Sequence, residues 1–265
     1  MMKIQVLLEN TSLCEDLKAE HGLSLYIETD RHKILFDMGQ TTAFADNAEK
    51  LGIDLSQVDI AILSHGHYDH GGGLRRFMEI NHKAPIYLNC YAFLPYYNGT
   101  EKYIGLDQEL KQSERFVFVE DNLEIEEGIT LCSCNHKMRP FAFSNFGLQR
   151  MEQDSIVADD FRHEQYLLLY EEGKKVVVSG CSHKGILNIM SWLEPDVLIG
   201  GFHLVKLDRL KDEEALRFVA EELKKYPASY YTGHCTGPEQ YAFLKEILGE
   251  QLEYMRTGME ISDFI

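Results

Sequence analysis

The stretch Ser64-His65-Gly66-His67-Tyr68-Asp69-His70-Gly71-Gly72-Gly73 places three histidines and one aspartate within six consecutive positions. It follows Ile60–Ser64 (IAILS), an apolar run that predicts a strand buried on both faces. Zn²⁺, Fe²⁺ and Mn²⁺ accept imidazole and carboxylate ligands, so the two histidines of His-x-His can converge on one cation where the chain turns. Asp69 and His70 then point toward the position of a second cation. Because three glycines without Cβ atoms allow a tight bend before a helix, we interpret the stretch as a metal-binding loop.

The composition is that of a folded protein, with 45% hydrophobic and 26% charged residues in a chain of 265. There are 26 Lys and Arg against 43 Asp and Glu, which gives a net charge of −17. Such an acidic surface repels phosphate backbones, so we expect no nucleic-acid partner. The sequence contains no run of about 18 apolar residues, and we expect no membrane partner either.

Six cysteines lie at positions 14, 90, 132, 134, 181 and 235, with irregular spacing. In a chain of this size the spacing does not indicate a disulfide scaffold, so we expect reduced thiols and a cytoplasmic protein. The apolar stretch within residues 1–10 is too short for a signal peptide.

Short β-rich runs dominate the first half of the chain, and helices alternate with strands near its end. Strands are predicted at residues 3–8, 23–29, 33–37, 60–64, 85–89, 116–119, 129–131, 165–170, 175–179, 197–200 and 229–232. Helices are predicted from Thr41 to about Leu51, and over Asp212–Tyr226 and Pro238–Leu248. Residues 132–161 show no clear period. This stretch could be a lid or substrate loop, or an irregular surface excursion with its own small apolar cluster.

The loop at 65–70 resembles the His-x-His-x-Asp-His signature of the metallo-β-lactamase superfamily. Three further motifs are also similar to this family, namely ILFDMG at 34–39, VVVSGCSHKGI at 176–186 and YTGHCTG at 231–237. In the first of them, Asp37 would support the metal loop. They look like the subgroup that includes the dihydropterin-ribofuranosylaminobenzene-phosphate synthases and many metal-dependent hydrolases. The resemblance implies an α/β fold, the four-layer αββα sandwich of the metallo-β-lactamase fold, as a single domain over residues 1–265.

The resemblance also implies ligands for two cations. It assigns His65 and His67 to the first cation, and Asp69, His70 and His234 to the second. For His234, a buried hydrogen-bonded histidine is the alternative.

The roles of five further residues are open. Cys181 lies where the family usually has a bridging aspartate, and it could bridge the cations, bind one of them or line the pocket. The third ligand of the first cation could be His163 or Glu164, or this site could lack a third protein ligand and the chain would hold one cation. His183 could supplement the site or hold substrate. His203 could bind a substrate anion, donate a proton or be structural.

We expect a metal-dependent hydrolase that acts on a small ester, phosphoester or related bond. One or two divalent cations, Zn²⁺ first and Fe, Mn or Ni as alternatives, would lower the pKa of a bound water. Asp69 would orient that water, and His183 or His203 would protonate the leaving group. The substrate would be a small molecule, and anionic and pterin-like compounds are both compatible with this chemistry.

Two other functions remain open. The first is a transferase like the related synthases, in which an aminobenzene nucleophile displaces pyrophosphate from a dihydropterin and Phe141, Phe143 or Phe146 stacks on the pterin. The second is a non-catalytic, metal-dependent binding module, which would leave no open coordination position on the cation.

Overall fold

A computed structural model describes residues 2–171 and 173–262 of the chain. Its strands, in chain order, are β1 (Lys3–Leu8), β2 (Ser24–Glu28), β3 (Lys33–Phe36), β4 (Ile60–Ile62), β5 (Ile86–Asn89), β6 (Tyr96–Asn98), β7 (Lys102–Tyr103), β8 (Phe116–Val119), β9 (Asn122–Glu126), β10 (Ile129–Cys132), β11 (Leu148–Glu152), β12 (Ser155–Ala158), β13 (Tyr166–Glu171), β14 (Lys174–Val178), β15 (Val197–Ile199), β16 (Ser229–Thr232), β17 (Leu252–Tyr254) and β18 (Glu260–Ile261). The α-helices are α1 (Ala43–Lys50), α2 (Tyr68–Gly71), α3 (Leu74–Ile80), α4 (Ile186–Leu193), α5 (Glu213–Lys224) and α6 (Pro238–Leu248). Short 3₁₀ helices lie at Leu55–Gln57, Gln108–Gln112, His234–Thr236 and Gly249–Gln251.

Two mixed sheets of seven strands form the centre of the fold. The first has the order β18-β1-β2-β3-β4-β5-β8, and the second has the order β17-β16-β15-β14-β13-β10-β9. Strands β3, β4, β5 and β8 are parallel neighbours in the first sheet, and β14 to β17 are parallel neighbours in the second. Loops after parallel strands leave from the same edge of a sheet, where α/β proteins place their sites.

The side chains of each sheet alternate between two cores. In β3, Ile34 and Phe36 pack in the core between the sheets, whereas Leu35 packs in the core on the outer face of the first sheet. In β14, Val176 and Val178 belong to the core between the sheets, and Val177 packs on the outer face of the second sheet. Because successive strand residues point to opposite faces, each sheet is covered on both sides.

Helices cover the outer faces of both sheets. Phe44 of α1 and Phe77 of α3 pack on the first sheet, and Ile189 of α4, Leu216 of α5 and Leu244 of α6 pack on the second. The predicted α/β architecture of four layers, αββα, is confirmed. Within the described residues, no helix is long and apolar enough to cross a membrane.

The last two of the three glycines at the end of the metal-binding loop have a different role from the tight bend that we expected. Gly72 and Gly73 have ordinary helical φ angles of −63° and −77°. A Cβ atom at these positions would collide with the carbonyl oxygens of Gln40 and Met38 respectively. These glycines therefore allow the loop to pack closely against the chain that follows β3.

The stretch at 132–161 contains more regular structure than its sequence suggests. Its strands β11 and β12 form a hairpin, which joins β6 and β7 in a third sheet of order β12-β11-β6-β7. Beside this sheet, Leu148 and Phe161 pack with Tyr96 and Ile104 in a small apolar core. Most side chains of β12 are exposed, so the hairpin lacks the apolar alternation that would have indicated it.

We predict that Leu167→Ala lowers the free energy of unfolding by about 2–5 kcal/mol, because it opens a cavity between the two sheets. Leu167 is fully buried in that core, whereas Leu210 is 84% exposed. Urea denaturation followed by circular dichroism would measure both variants, and Leu210→Ala should change stability by less than about 0.5 kcal/mol. Equal stability of the two variants would contradict the packing of this core.

Candidate metal centre

The expected ligands follow the ends of parallel strands in both sheets. His65 to His70 come after β4, and the last two of these residues, Asp69 and His70, lie in the short helix α2. Cys181 follows β14, His203 follows β15 and His234 follows β16. The fold therefore brings residues that are far apart in the chain to one edge of the sandwich.

Four of the expected ligands form one compact group, the Asp69–His70–Cys181–His234 group. Their ligand atoms all lie within 4.8 Å of one another, and all four residues are buried. His70 Nε2 lies 3.1 Å from Cys181 Sγ and 3.1 Å from His234 Nε2, and Asp69 Oδ2 lies 3.3 Å from His234 Nε2. Ligand atoms around one tetrahedral Zn²⁺ are about 3.3–3.8 Å apart, so this spacing suits a shared cation.

Hydrogen bonds outside the group orient its two imidazoles. His70 Nδ1 lies 2.6 Å from Asp37 Oδ2, and His234 Nδ1 lies 2.9 Å from Asn10 Oδ1. Each Nδ1–H donates to an oxygen, which leaves the lone pair of Nε2 directed at the group. Metal-binding histidines are commonly oriented in this way by a carboxylate or carbonyl oxygen.

A second group is formed by three imidazoles, the His65–His67–His183 group, whose ligand atoms also lie within 4.8 Å of one another. His65 Nε2 is 3.2 Å from His183 Nε2. Among the described residues, the buried nitrogens His67 Nε2 and His183 Nδ1 have no hydrogen-bond partner. An unsatisfied buried polar atom costs about 1–3 kcal/mol, and a divalent cation would satisfy such nitrogens. The donor set therefore fits a cation in this group as well.

The carboxylate of Asp37 links the two groups. Its Oδ1 accepts a hydrogen bond of 2.7 Å from Ser64 N, and its Oδ2 accepts one of 2.7 Å from Ser64 Oγ as well as the bond from His70. Ser64 Oγ in turn lies 2.8 Å from His65 Nδ1. Because the Ser64 hydroxyl proton points at Asp37, its oxygen accepts from His65 Nδ1–H, and His65 Nε2 is free to bind a cation.

The fold and these groups agree with what is known of related proteins. The model of the metallo-beta-lactamase superfamily matches residues 17–132, which include the loop at 64–73. A solved structure described as Tm1679, a metal-dependent hydrolase of the beta-lactamase superfamily, is 27% identical, has a TM-score of 0.83 and covers 99% of both chains. Residues 17–132 thus match the metallo-β-lactamase superfamily, and the described chain has the metallo-β-lactamase fold.

Two curated relatives of this chain come from Methanocaldococcus jannaschii. The uncharacterized protein MJ0448 is 29% identical over 245 residues, which cover 88% of this chain and 90% of the relative. The 7,8-dihydropterin-6-methyl-4-(β-D-ribofuranosyl)-aminobenzene-5'-phosphate synthase is 29% identical over 272 residues, which cover 91% and 89%. At 10% identity and a TM-score of 0.60, the Zn²⁺-bound PqqB of Methylobacterium extorquens shares the fold.

The two residues expected as third ligand of the first cation, His163 and Glu164, have other partners in the structure. His163 Nδ1 accepts a hydrogen bond of 2.8 Å from Gly66 N, so its Nε2 carries the proton and donates to Asp159 Oδ2 at 3.1 Å. In this tautomer His163 braces the backbone of the loop, although it lies near enough to His67 and Asp159 to form a third ligand group with them. His183 lies closer to His65 than His163 does, with ring centroids at 4.8 Å and 5.7 Å from that of His65 respectively.

Glu164 lies outside every ligand group that the described residues form. Its Oε1 accepts from His183 N at 2.6 Å, and its Oε2 accepts from Lys184 N at 3.1 Å and Tyr166 Oη at 2.7 Å. With its carboxylate occupied by these bonds, Glu164 positions the turn that carries His183.

His203 lies against the same centre. Its ring centroid is 4.2 Å from that of His183, and its ligand atom lies within 4.8 Å of those of Cys181 and His183. The structure thus brings His203 close to the centre, and its role stays a prediction.

Sequence reasoning missed three residues that hold the Asp69–His70–Cys181–His234 group in place. Glu9 is fully buried, and its Oε1 accepts a hydrogen bond of 2.6 Å from His234 N. Asn10 orients the ring of His234, and His21 Nε2 lies 3.2 Å from Asp69 Oδ2. The acidic Glu9 directly after the apolar strand β1 was the available signal, because a buried charge needs specific partners.

Burial sets the protonation of the ligands. Burial lowers the pKa of His65 and His183 well below the usual value and that of His67 to about 3, so these imidazoles are neutral. Burial opposes the charge of Asp69, but His70, His21 and His234 outweigh it and hold the pKa of this carboxyl well below its usual value. Burial raises the pKa of the Cys181 thiol, and a bound divalent cation would remove its proton.

We predict that Asp37→Asn weakens zinc binding about 10–100-fold, the usual effect of removing an outer hydrogen-bond partner of metal ligands. Competition against a chromophoric chelator would measure the affinity. Asp59→Asn is the matched control, because Asp59 contacts His32 in a partly exposed pair. If Asp37→Asn binds zinc as tightly as the control, Asp37 does not orient the ligands.

We also predict that His183→Ala lowers the number of tightly bound cations per chain by one, because it removes a member of the His65–His67–His183 group. His163→Ala should retain that cation at saturating metal, since His163 only braces the loop. Elemental analysis after gel filtration would measure both variants. The opposite result would make His163 the ligand.

Proposed function

We propose that this chain is a metal-dependent hydrolase that acts on a small ester, phosphoester or related bond. The observation that carries the proposal is the adjacency of two ligand groups, with the rings of His65 and His70 only 4.2 Å apart. Divalent cations held by these groups would lower the pKa of a bound water toward neutrality and polarise the bond to be cleaved. Zn²⁺ suits the imidazole, carboxylate and thiolate donors, and Fe, Mn and Ni are alternatives.

The remaining chemistry comes from residues of the chain itself. Asp69 Oδ2 lies 3.2 Å from Nε2 of His21, and this contact gives the carboxylate a defined orientation for positioning a nucleophile. We expected His183 or His203 to protonate the leaving group. Because His183 belongs among the ligands in this proposal, we assign protonation of the leaving group to His203.

Relatives support the proposal. The likeness to Tm1679, which is described as a metal-dependent hydrolase, extends over 99% of both chains. Hydrolysis also requires only water as a second reactant, and Asp69 provides a carboxylate to orient it.

A second candidate is an arylamine transferase, which the similarity to the dihydropterin synthase favours. Aromatic side chains of the 132–161 stretch border the site, since the ring of Phe146 is 5.3 Å from that of His203 and the ring of Phe161 is 4.6 Å from that of His183. Phe143 lies behind them, 6.1 Å from Phe161. Such rings could stack on a flat pterin. In this reaction the arylamine nitrogen would attack the dihydropterin carbon, and pyrophosphate would leave with the bonding electrons.

A paired assay distinguishes these functions. The zinc-loaded protein is incubated with a panel of simple esters and phosphodiesters, and separately with dihydropterin pyrophosphate and an arylamine. We expect turnover in the first mixture. Turnover only in the second would replace hydrolysis by transfer, and none in either with metal bound would favour a binding module.

We predict that His234→Ala lowers kcat/KM by more than about 100-fold, because loss of a ligand should exceed the effect of losing an outer partner. His82→Ala, a change at an exposed histidine, is the control and should keep wild-type turnover. Both variants are compared by initial rates and by zinc content. Wild-type rates in His234→Ala would remove this residue from the proposed centre.

A further inference from the structure

Two neighbouring thiols lie outside the metal centre. Cys132 is the last residue of β10 and Cys134 follows it by two positions, and their sulfur atoms are 3.6 Å apart. Both are free cysteines, 5% and 6% exposed, and neither belongs to a ligand group that the described residues form. Neighbouring free thiols can be oxidised to a disulfide, and in reducing compartments such bonds are mostly transient and regulatory.

The fold holds the two sulfurs against each other. Both cysteine side chains pack in the core on the outer face of the second sheet. Ser133, between them, bonds to Asp121 instead, with its N donating to Asp121 O at 2.7 Å and its Oγ to Asp121 Oδ1 at 2.5 Å. Cys134 has a φ of 55°, a left-handed conformation that persists where the surrounding structure imposes it. The contact between the thiols is therefore preorganised.

The two thiols differ in reactivity. The hydrogen bond from Cys132 and the positive charges of Lys184 and Lys137 outweigh burial, and they lower the pKa of the Cys134 thiol. The same hydrogen bond, together with burial, raises the pKa of the Cys132 thiol. Because the thiolate is the form that reacts with oxidants, Cys134 is the sulfur that is oxidised first.

An open cavity brings solvent to this motif. Its volume is about 540 Å³, and Asp121 and Asn135 are among the residues that line it. Both residues bond to Ser133, which lies between the two cysteines, since Asn135 N donates to Ser133 Oγ at 3.3 Å. Hydrogen peroxide is little larger than water, so the small exposed fraction of the sulfurs admits it and excludes bulky oxidants.

The carbonyl of Ser133 connects the thiol pair to the metal centre. It accepts a hydrogen bond of 2.5 Å from Lys184 Nζ, which also donates to Glu164 O at 2.9 Å. The Glu164 carboxylate in turn holds His183 N at 2.6 Å. Lys184 is fully buried, so the loss of a hydrogen-bond partner at its ammonium group is costly. A displacement of the Ser133 carbonyl therefore reaches the turn that carries His183.

We propose that Cys132 and Cys134 form a peroxide-sensitive dithiol site, whose oxidation to a disulfide loosens the turn that carries His183. The sulfurs must approach from 3.6 Å to bonding distance, about 2 Å, and this movement displaces the Ser133 peptide between them. The effect on the metal rests on the proposed function, through the role of His183 as a ligand. Formation of the disulfide does not.

The chemistry needs one molecule of hydrogen peroxide. The Cys134 sulfur attacks a peroxide oxygen and the O–O bond breaks, which gives a sulfenic acid and one water. The Cys132 sulfur then attacks the sulfenic sulfur, and the S–O bond breaks as the S–S bond forms. The leaving oxygen takes the thiol proton of Cys132 and departs as a second water. The two thiols lose two electrons, and one peroxide is reduced to two waters.

Peptide mapping by mass spectrometry tests the disulfide. Trypsin releases residues 116–137 as one peptide, because the segment follows an arginine and has no Lys or Arg before its last residue. After peroxide treatment and alkylation, this wild-type peptide should be lighter by two hydrogen atoms and carry no alkyl group. Cys14→Ser, a change at an exposed cysteine, is the matched control and should give the same peptide. Alkylation at both Cys132 and Cys134 would overturn the proposal.

Zinc affinity tests the link to the metal centre. In competition against a chromophoric chelator, peroxide-treated wild type should bind zinc at least about tenfold more weakly, the effect of disturbing an outer partner of a ligand. A dithiol reductant should restore the affinity. Cys134→Ser cannot form the bond, so peroxide should leave its affinity unchanged. If circular dichroism shows that this variant does not fold, Cys132→Ser takes its place.

Two results would overturn the link to His183. One is unchanged zinc affinity in wild type that carries the disulfide, and the other is an equal loss of affinity in Cys134→Ser, which would assign the effect to another thiol. Both leave the proposed function standing, because that function concerns the reduced protein. Failure of the reduced, zinc-loaded protein to hydrolyse any substrate would overturn the proposed function and leave the disulfide result intact.

Discussion

The buried carboxylate of Asp37 is the constraint on which the metal centre depends. It accepts hydrogen bonds from the backbone and hydroxyl of Ser64 and from the ring of His70. Through Ser64 it also orients His65, so one side chain sets the tautomers of ligands in both groups. A buried carboxylate is tolerated only when its oxygens are satisfied. The same bonds therefore stabilise the end of β3 and direct the imidazoles toward their cations.

The two sheets make this arrangement rigid. Alternation of apolar residues, as in Ile34, Leu35 and Phe36, packs β3 between two cores at once. The ligand group that runs from Asp69 to His234 draws on both sheets, so its spacing depends on the core between them. Burial in this frame also lowers the pKa of His65, His67 and His183 and keeps these three imidazoles neutral, which is the form that binds a metal.

Much of the site could be predicted because local motifs carry ligand chemistry. The sequence singles out Asp69, His70, Cys181 and His234, and the structure brings them together. The third member of the imidazole group was sought at 163–164, where the strand pattern of the family places it. We include His183 in this group because its Nε2 lies 3.2 Å from His65 Nε2, whereas Gly66 N–H fixes the proton of His163 on the nitrogen that faces Asp159.

The sequence by itself determined the buried strand faces and the kind of donors in the centre, and its resemblance to the metallo-β-lactamase family implied the four layers. Alternating apolar residues specify which strand faces are buried, and a cluster of histidines specifies ligand chemistry, because both are local patterns. Only the tertiary structure decided that Glu9 and Asn10 would support His234, that Glu164 would hold a turn, and that β11 and β12 would form a small sheet. These outcomes depend on hydrogen bonds between residues up to 225 positions apart, and no local pattern encodes such partners.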